Sequence, residues 1–75
     1  MREQLLQLLK ENCPGVDFER ETALVDDEIL ESLDIVTIVS EIMGTFHISI
    51  NVDDLLPDNF NSVDQMLELI QRKQS

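Results

Sequence analysis

A long central stretch of the chain contains no basic residue. From position 21 to position 71 there is no lysine or arginine, yet twelve of the sixteen acidic residues lie there. Salt bridges within this stretch cannot relieve the repulsion between its carboxylates, and that repulsion lowers the stability of a compact state. Two interpretations remain open: the acids form a solvated surface, or they face a partner of opposite charge.

The length and overall charge narrow the possible partners. Seventy-five residues allow one small domain, which we expect to span residues 1–75. A net charge of −11 disfavours nucleic acid and anionic membrane surfaces, because both are recognised mainly through lysine and arginine. The charge favours a basic protein partner instead.

The cysteine content and the absence of export signals indicate a cytoplasmic protein. A single cysteine, Cys13, excludes an internal disulfide and a zinc site built from cysteines. No apolar run has the length of a membrane span, and the N-terminus lacks the apolar segment of a signal peptide.

Hydrophobic periodicity predicts an all-α fold. Residues 1–12 form a first helix with a leucine stripe, and residues 13–31 form a long connection with irregularly spaced apolar anchors. A second helix is predicted from Ser32, as its N-cap, to Gly44. Its expected buried stripe is Ile35, Ile38, Val39 and Ile42, which Phe46 continues, and Asp34 lies in its first turn.

The last third of the chain is predicted to hold one short helix and one long helix. Residues 46–50 alternate like a half-buried extended segment, and Asn51 caps a single turn, Val52–Leu56, that Pro57 closes. Residues 58–61 are expected to form a turn. Ser62 then opens the last helix with Gln65 as its capping-box partner, and the apolar stripe is Val63, Met66, Leu67 and Ile70.

Few side chains are suited to catalysis or metal binding. His47 is the single histidine and Cys13 has no histidine beside it in sequence, so we expect no catalytic residue. The acidic run at 26–28 lacks the ligand spacing and the glycine of a calcium loop, so we expect no metal site.

Ser32 is the most informative position. It follows the long connection, at the expected exposed end of the bundle, and Glu31 and Asp34 place it in the densest acidic run. If the predicted stripe faces the core, Leu33 and Val36 lie at its edge or outside. Exposed apolar side chains rimmed by acids are typical of a docking patch.

Several segments around and after Ser32 together resemble the acyl carrier protein family. They are Glu31-Ser32-Leu33-Asp34, residues 46–50, Asp53-Asp54-Leu55-Leu56-Pro57 and residues 59–64, in the family's order over nearly the whole chain. The resemblance implies an acyl-carrier-like four-helix bundle with a short third helix and a long loop between helices 1 and 2. It also implies a carrier that is not itself an enzyme.

The resemblance implies a cofactor and a set of partners. Ser32 would carry 4′-phosphopantetheine, attached through a phosphodiester by a separate phosphopantetheinyl transferase, and the thiol of the arm would hold an acyl or aminoacyl group as a thioester. Loading and processing enzymes with basic patches would be the partners, and a monomer is expected. The predicted partner-binding residues are Glu31, Leu33, Asp34, Val36 and Glu41.

Departures from the family pattern leave the pathway open. Glu31 stands where the family usually has aspartate, residues 27–30 lack a glycine that many carriers have, and Thr37 replaces a common glutamate. Fatty-acid, polyketide, peptide and D-alanine carriers all remain candidates. The alternatives to a carrier are an unmodified acidic helical adaptor that binds a basic protein and, less favoured, a divalent-ion-binding helical protein.

Repulsion between the carboxylates makes a prediction about salt. Raising the ionic strength from a low value, or adding divalent cations, should raise the melting temperature at neutral pH because screening weakens the repulsion. Thermal unfolding followed by circular dichroism checks this. An unchanged or lower melting temperature would show that the repulsion is weaker than the charge pattern indicates.

Overall fold

The structure, a computed structural model, describes residues 1–74; Ser75, the last residue of the predicted domain, lies outside the described residues. Within residues 1–74 the chain forms only helices, turns and irregular segments. The helices are α1 (Arg2–Asn12), α2 (Ser32–Phe46), a 3₁₀-helix (Val52–Asp54), α3 (Pro57–Phe60) and α4 (Val63–Gln74). The predicted all-α fold class, with a short third helix and a long first loop, is confirmed.

The two ends of the bundle are defined by contacts between helix termini. α1 packs against α2 and α4, and α3 packs against α4. Cys13 at the end of α1 lies beside Asp34 in the first turn of α2, so these two helices run in opposite directions. Arg2 pairs with Asp64, so α1 and α4 begin at the same end of the bundle.

One core is shared by the helices and the long connection. Each of α1, α2 and α4 contributes one apolar face, and α3 contributes Phe60. On α2 the predicted Ile38, Val39 and Ile42 are buried, whereas Ile35 and Phe46, at the two ends of the stripe, are half-buried. On α4 the structure corrects one position: Leu69 is buried, whereas the predicted Leu67 is half-buried. The buried apolar side chains of the helices are Leu5, Leu8, Leu9, Ile38, Val39, Ile42, Phe60, Val63, Met66, Leu69 and Ile70.

The connection 13–31 is irregular but well packed. Phe18, Leu24 and Leu30 are at most 4% exposed and lie in the same core as the helices. Its turns are closed by backbone hydrogen bonds, including Leu30 N–H to the Leu24 carbonyl at 2.9 Å. The irregular spacing of its apolar residues therefore reflects anchors on an ordered loop rather than a missed helix.

The end of α2 differs from the prediction. The helix does not end at Gly44 but continues to Phe46, because Gly44 lies on an exposed face where a missing side chain costs only about 1 kcal/mol. His47 ends the helix in the left-handed conformation, with φ 55°. Half-buried and exposed residues alternate over positions 46–50 as predicted, but Phe46 is helical, so the extended segment is shorter than expected.

The segment between α2 and α4 is also arranged differently. Asn51 is a cap residue as predicted, but the turn it starts is the 3₁₀-helix Val52–Asp54 rather than Val52–Leu56. Pro57 does not close this turn; it begins α3, because proline lacks only an N–H that the first turn of a helix leaves unpaired. The predicted turn at 58–61 is therefore the short helix α3 and its cap.

The predicted capping of α4 is half confirmed. The Gln65 N–H donates to the Ser62 hydroxyl at 3.2 Å, so Ser62 caps the helix. The reciprocal bond of a capping box is not made, because the Gln65 side chain turns inward. Its Oε1 is buried without a hydrogen-bond partner among residues 1–74.

Glu28 occupies a backbone conformation that favours glycine. Its φ is 58°, and it lies in the segment 27–30, where the resemblance leads one to expect a glycine. The left-handed conformation costs a residue with a side chain about 1–2 kcal/mol, and glycine would relieve this strain. Glycine is also freer in the unfolded chain, and this offsets about 0.4–1 kcal/mol of the stability gained.

Replacing Glu28 by glycine should therefore stabilise the protein by about 0.5–1 kcal/mol. Urea unfolding of Glu28→Gly against the unaltered chain measures this. Asp27→Gly is the matched control, since it removes the same charge where φ is not positive, and it should destabilise. Equal effects of the two substitutions would assign the gain to charge rather than to backbone strain.

Candidate functional site

Ser32 is the first residue of α2 and is exposed to solvent. The N-cap is Glu31, in extended conformation, so the prediction that Ser32 caps the helix is wrong. The reason is that the carbonyl of Glu31 already accepts the first intrahelical bond, from Ile35 N–H at 3.0 Å. The Ser32 hydroxyl is consequently not used in capping, and it donates to none of residues 1–74.

Asp34 orders the start of α2. Its Oδ2 accepts a hydrogen bond from the Glu31 N–H at 3.1 Å, which is the return half of a capping box. The side chain is half-buried and faces the end of α1. Burial first, and then the negative charge of Asp34, raise the pKa of the neighbouring Cys13 thiol. Cys13 is therefore a poorly ionised, half-buried residue.

An open cleft of about 390 Å³ lies beside the Ser32 hydroxyl. Val25 and Leu30 from the long connection and Ile35 from α2 form its apolar lining. Glu28 and Glu31 supply carboxylates to it. Ser32 thus stands where the loop and the helix meet, with acidic groups on the loop side.

Two apolar side chains project into solvent next to Ser32. Leu33 is 78% exposed and Val36 is 61% exposed, as the helical periodicity predicted for residues off the buried stripe. Val36 is four positions after Ser32, so the two share one face of α2. The face of α2 that carries the Ser32 hydroxyl therefore also presents apolar surface to solvent.

The five predicted partner-binding residues do not all lie together. Glu31 and Leu33 flank Ser32 in sequence, Val36 lies one turn further along α2, and all three are exposed. Asp34 and Glu41 lie on the side of α2 toward α1, where Glu41 lines a cleft with Glu11 and Gln7.

A second group of exposed apolar residues lies outside α2. Val52 is 83% exposed, and Leu55 and Leu56 are also exposed. Their sequence predicted a helical turn but not that these side chains would be exposed. The shortness of the turn could have predicted their exposure, because a turn followed at once by Pro57 is too short to bury three large side chains.

Asp54, one of two acids in this second segment, is held by a salt bridge from α4. Lys73 Nζ lies 2.6 Å from Asp54 Oδ2, which also accepts the Asn51 N–H at 3.0 Å. The hydrogen bond from Lys73, and next the bond from the backbone of Asn51, lower the pKa of the Asp54 carboxyl. Asp54 is thus a structural anchor.

The residues with catalytic or metal-binding chemistry are scattered. His47 is exposed at the end of α2 that is opposite Ser32, and Cys13 lies beside Asp34. Residues 1–74 contain no group of three or more histidine, cysteine or acidic side chains arranged to hold a metal ion. Over the same residues, no helix has the length and apolar character needed to cross a membrane.

Comparison with known proteins adds one finding. The sequence profile described as a phosphopantetheine attachment site matches residues 2–70, which is nearly the whole chain. No curated protein and no solved structure matches the chain. Proteins of the matched family are carriers rather than catalysts, bear 4′-phosphopantetheine on a serine, and work with enzymes that modify and load them. The chain therefore belongs to the phosphopantetheine attachment-site family and is a carrier of the acyl carrier protein type.

Proposed function

We propose that residues 1–75 form one carrier domain that holds acyl or aminoacyl groups on a phosphopantetheine arm attached to Ser32. The observation that supports this most is the exposed Ser32 hydroxyl at the start of α2, in a chain whose family match spans residues 2–70. When bound, the arm supplies a terminal thiol that forms thioesters. The chain itself needs no catalytic residue, because partner enzymes act on the tethered group.

The local structure fits such a group. The first-turn N–H groups of α2 have no intrahelical acceptor, and the positive end of the helix dipole favours a phosphate there. The hydroxyl of Ser32 is exposed and is not used as a cap. In the attachment reaction the oxygen of Ser32 would displace adenosine 3′,5′-bisphosphate from coenzyme A, with the hydroxyl proton passing to a base of the transferase.

The surface of α2 supports docking of basic partner enzymes. Leu33 and Val36 offer apolar contact area, and Glu31, Asp34 and Glu41 supply negative charge that none of the cations in residues 1–74 pairs with. Opposite charge on a partner would speed the encounter and make it sensitive to salt. Such transient docking suits a carrier that must visit several enzymes.

The location and cargo are proposals drawn from the sequence. We place the protein in the cytoplasm, as a monomer that does not bind nucleic acid and does not span a membrane. Fatty-acid or polyketide biosynthesis, or a related pathway that uses aminoacyl groups, would supply the cargo, because all of these groups form the same thioester.

The modification is tested by intact mass. Incubation with coenzyme A, magnesium and a broad-specificity phosphopantetheinyl transferase should add one phosphopantetheine to the chain and none to Ser32→Ala. The substitution should change stability by less than about 0.5 kcal/mol, because the side chain is exposed and Glu31, not Ser32, caps the helix. Matching circular dichroism spectra and melting curves provide the folding control.

Addition to the Ser32→Ala variant would place the arm elsewhere. Absence of any addition to the unaltered chain, with several transferases, would favour the alternative, an unmodified acidic helical adaptor. That adaptor would bind its basic partner equally well without the Ser32 hydroxyl.

The docking role of α2 is tested by a pair of exposed valines. Val36→Ser should lower kcat/KM for modification about fivefold, which corresponds to about 1 kcal/mol of lost contact. Val52→Ser makes the same change at a more exposed valine outside α2 and should leave kcat/KM unchanged. Equal losses in both variants would contradict a docking surface centred on α2.

A further inference from the structure

The side chain of Asn61 is buried and forms an extensive hydrogen-bond network. It is 5% exposed and is the one buried polar side chain in residues 1–74. Its Oδ1 accepts the N–H groups of Val25 at 2.9 Å and Asp26 at 3.0 Å. Its Nδ2 donates to Asp26 Oδ2 at 3.0 Å. The backbone N–H groups can only donate, so they fix the orientation of the carboxamide.

The backbone of Asn61 adds a further hydrogen bond to those of its side chain, and together these bonds form the Asn61 clamp. Its carbonyl accepts the Leu24 N–H at 2.9 Å, so three consecutive N–H groups of the long connection end on one residue. Asn61 itself is held between the end of α3 and Ser62, the cap of α4. One residue at the junction of two helices therefore fixes the middle of a loop that lies far from it in sequence.

A short chain of contacts leads from this clamp to Ser32. The Leu24 carbonyl accepts the N–H of Leu30 at 2.9 Å, and both leucine side chains lie in the core. Leu30 precedes Glu31, the N-cap of α2, and Ser32 follows it. The position of Leu24 thus fixes the position of Leu30, and through it the point at which α2 begins.

We propose that Asn61 is a positioning residue for the modification of Ser32, an inference that rests on the proposed function. Its carboxamide holds segment 24–30 against the α3–α4 junction, and this segment forms one wall of the cleft beside the Ser32 hydroxyl. The transferase meets Ser32 in a fixed place only while the segment is held. Small displacements of a reacting group are costly in rate.

The test combines hydrogen exchange with modification kinetics on the full chain. In Asn61→Ala, the amides of Val25 and Asp26 should exchange about tenfold faster, since the hydrogen bonds that they donate to the Asn61 carboxamide are lost. The kcat for phosphopantetheine transfer should fall about tenfold, while KM for the carrier stays within twofold because Leu33 and Val36 are unchanged. Asn59→Ala, which removes the amide that joins the Asp54 carbonyl to Arg72, is the matched control and should keep the full kcat.

A second pair of variants tests the clamp by rescue. Asn61→Asp keeps the acceptor for both N–H groups but turns a carboxylate oxygen toward Asp26, so it should also slow modification. Adding Asp26→Asn restores a donor for that oxygen, and the double variant keeps the net charge of the unaltered chain. It should recover most of the kcat and the slow exchange.

Three results would overturn the proposal. These are faster exchange with an unchanged kcat, unchanged exchange in Asn61→Ala, and a double variant as slow as Asn61→Asp. If the unaltered chain is not modified at all, the proposed function fails and the positioning role fails with it. If the unaltered chain is modified, but no faster than Asn61→Ala, the proposed function stands and only the positioning role of Asn61 fails.

Discussion

The irregular connection between α1 and α2 is anchored in the same core as the helices, and the rest of the structure depends on this. Phe18, Leu24 and Leu30 are buried together with the helical side chains. A fully buried side chain of this size contributes roughly 1.5–3 kcal/mol. Ordering each loop residue costs about 1–2 kcal/mol of backbone entropy, so hydrogen bonds such as those to Asn61 must assist the anchors. The loop is thereby a packed part of the domain, and because it leads directly into α2 it fixes the position of Ser32.

The few cations of residues 1–74 form salt bridges only with acids that lie outside α2. Arg2 pairs with Asp64, Lys10 with Glu19, and Lys73 with Asp54, so the described cations act on α1, the loop and the segment before α3. The exposed pairs, Arg2 with Asp64 and Lys10 with Glu19, each contribute little stability, typically below about 1 kcal/mol. Their arrangement leaves the acids at and beside Ser32 without a cation to pair with among residues 1–74. In the proposed docking, a basic enzyme surface would meet these acids without first displacing a salt bridge.

Sequence periodicity predicted the helices and their buried faces because each helix has one dominant apolar stripe. It also predicted that Leu33 and Val36 would be exposed. Periodicity did not predict the helix ends, because single residues determine where a helix begins and stops. Glu31 rather than Ser32 caps α2, and Pro57 starts a helix rather than closing a turn. The Asn61 network was not predictable, because it joins positions 35 and 36 residues apart in sequence. The positive φ of Glu28 was equally hidden, although the missing glycine marked its neighbourhood.

Attachment of phosphopantetheine to Ser32 is tested most directly by the mass of the protein purified from its own source, with fragmentation to locate any modification. We expect a fraction of the protein to be heavier by one phosphopantetheine, with or without a thioester-bound group, and the added mass to lie on Ser32. Protein that carries no phosphopantetheine under conditions in which it is active, or that carries it on another serine, would show that Ser32 is not the attachment site.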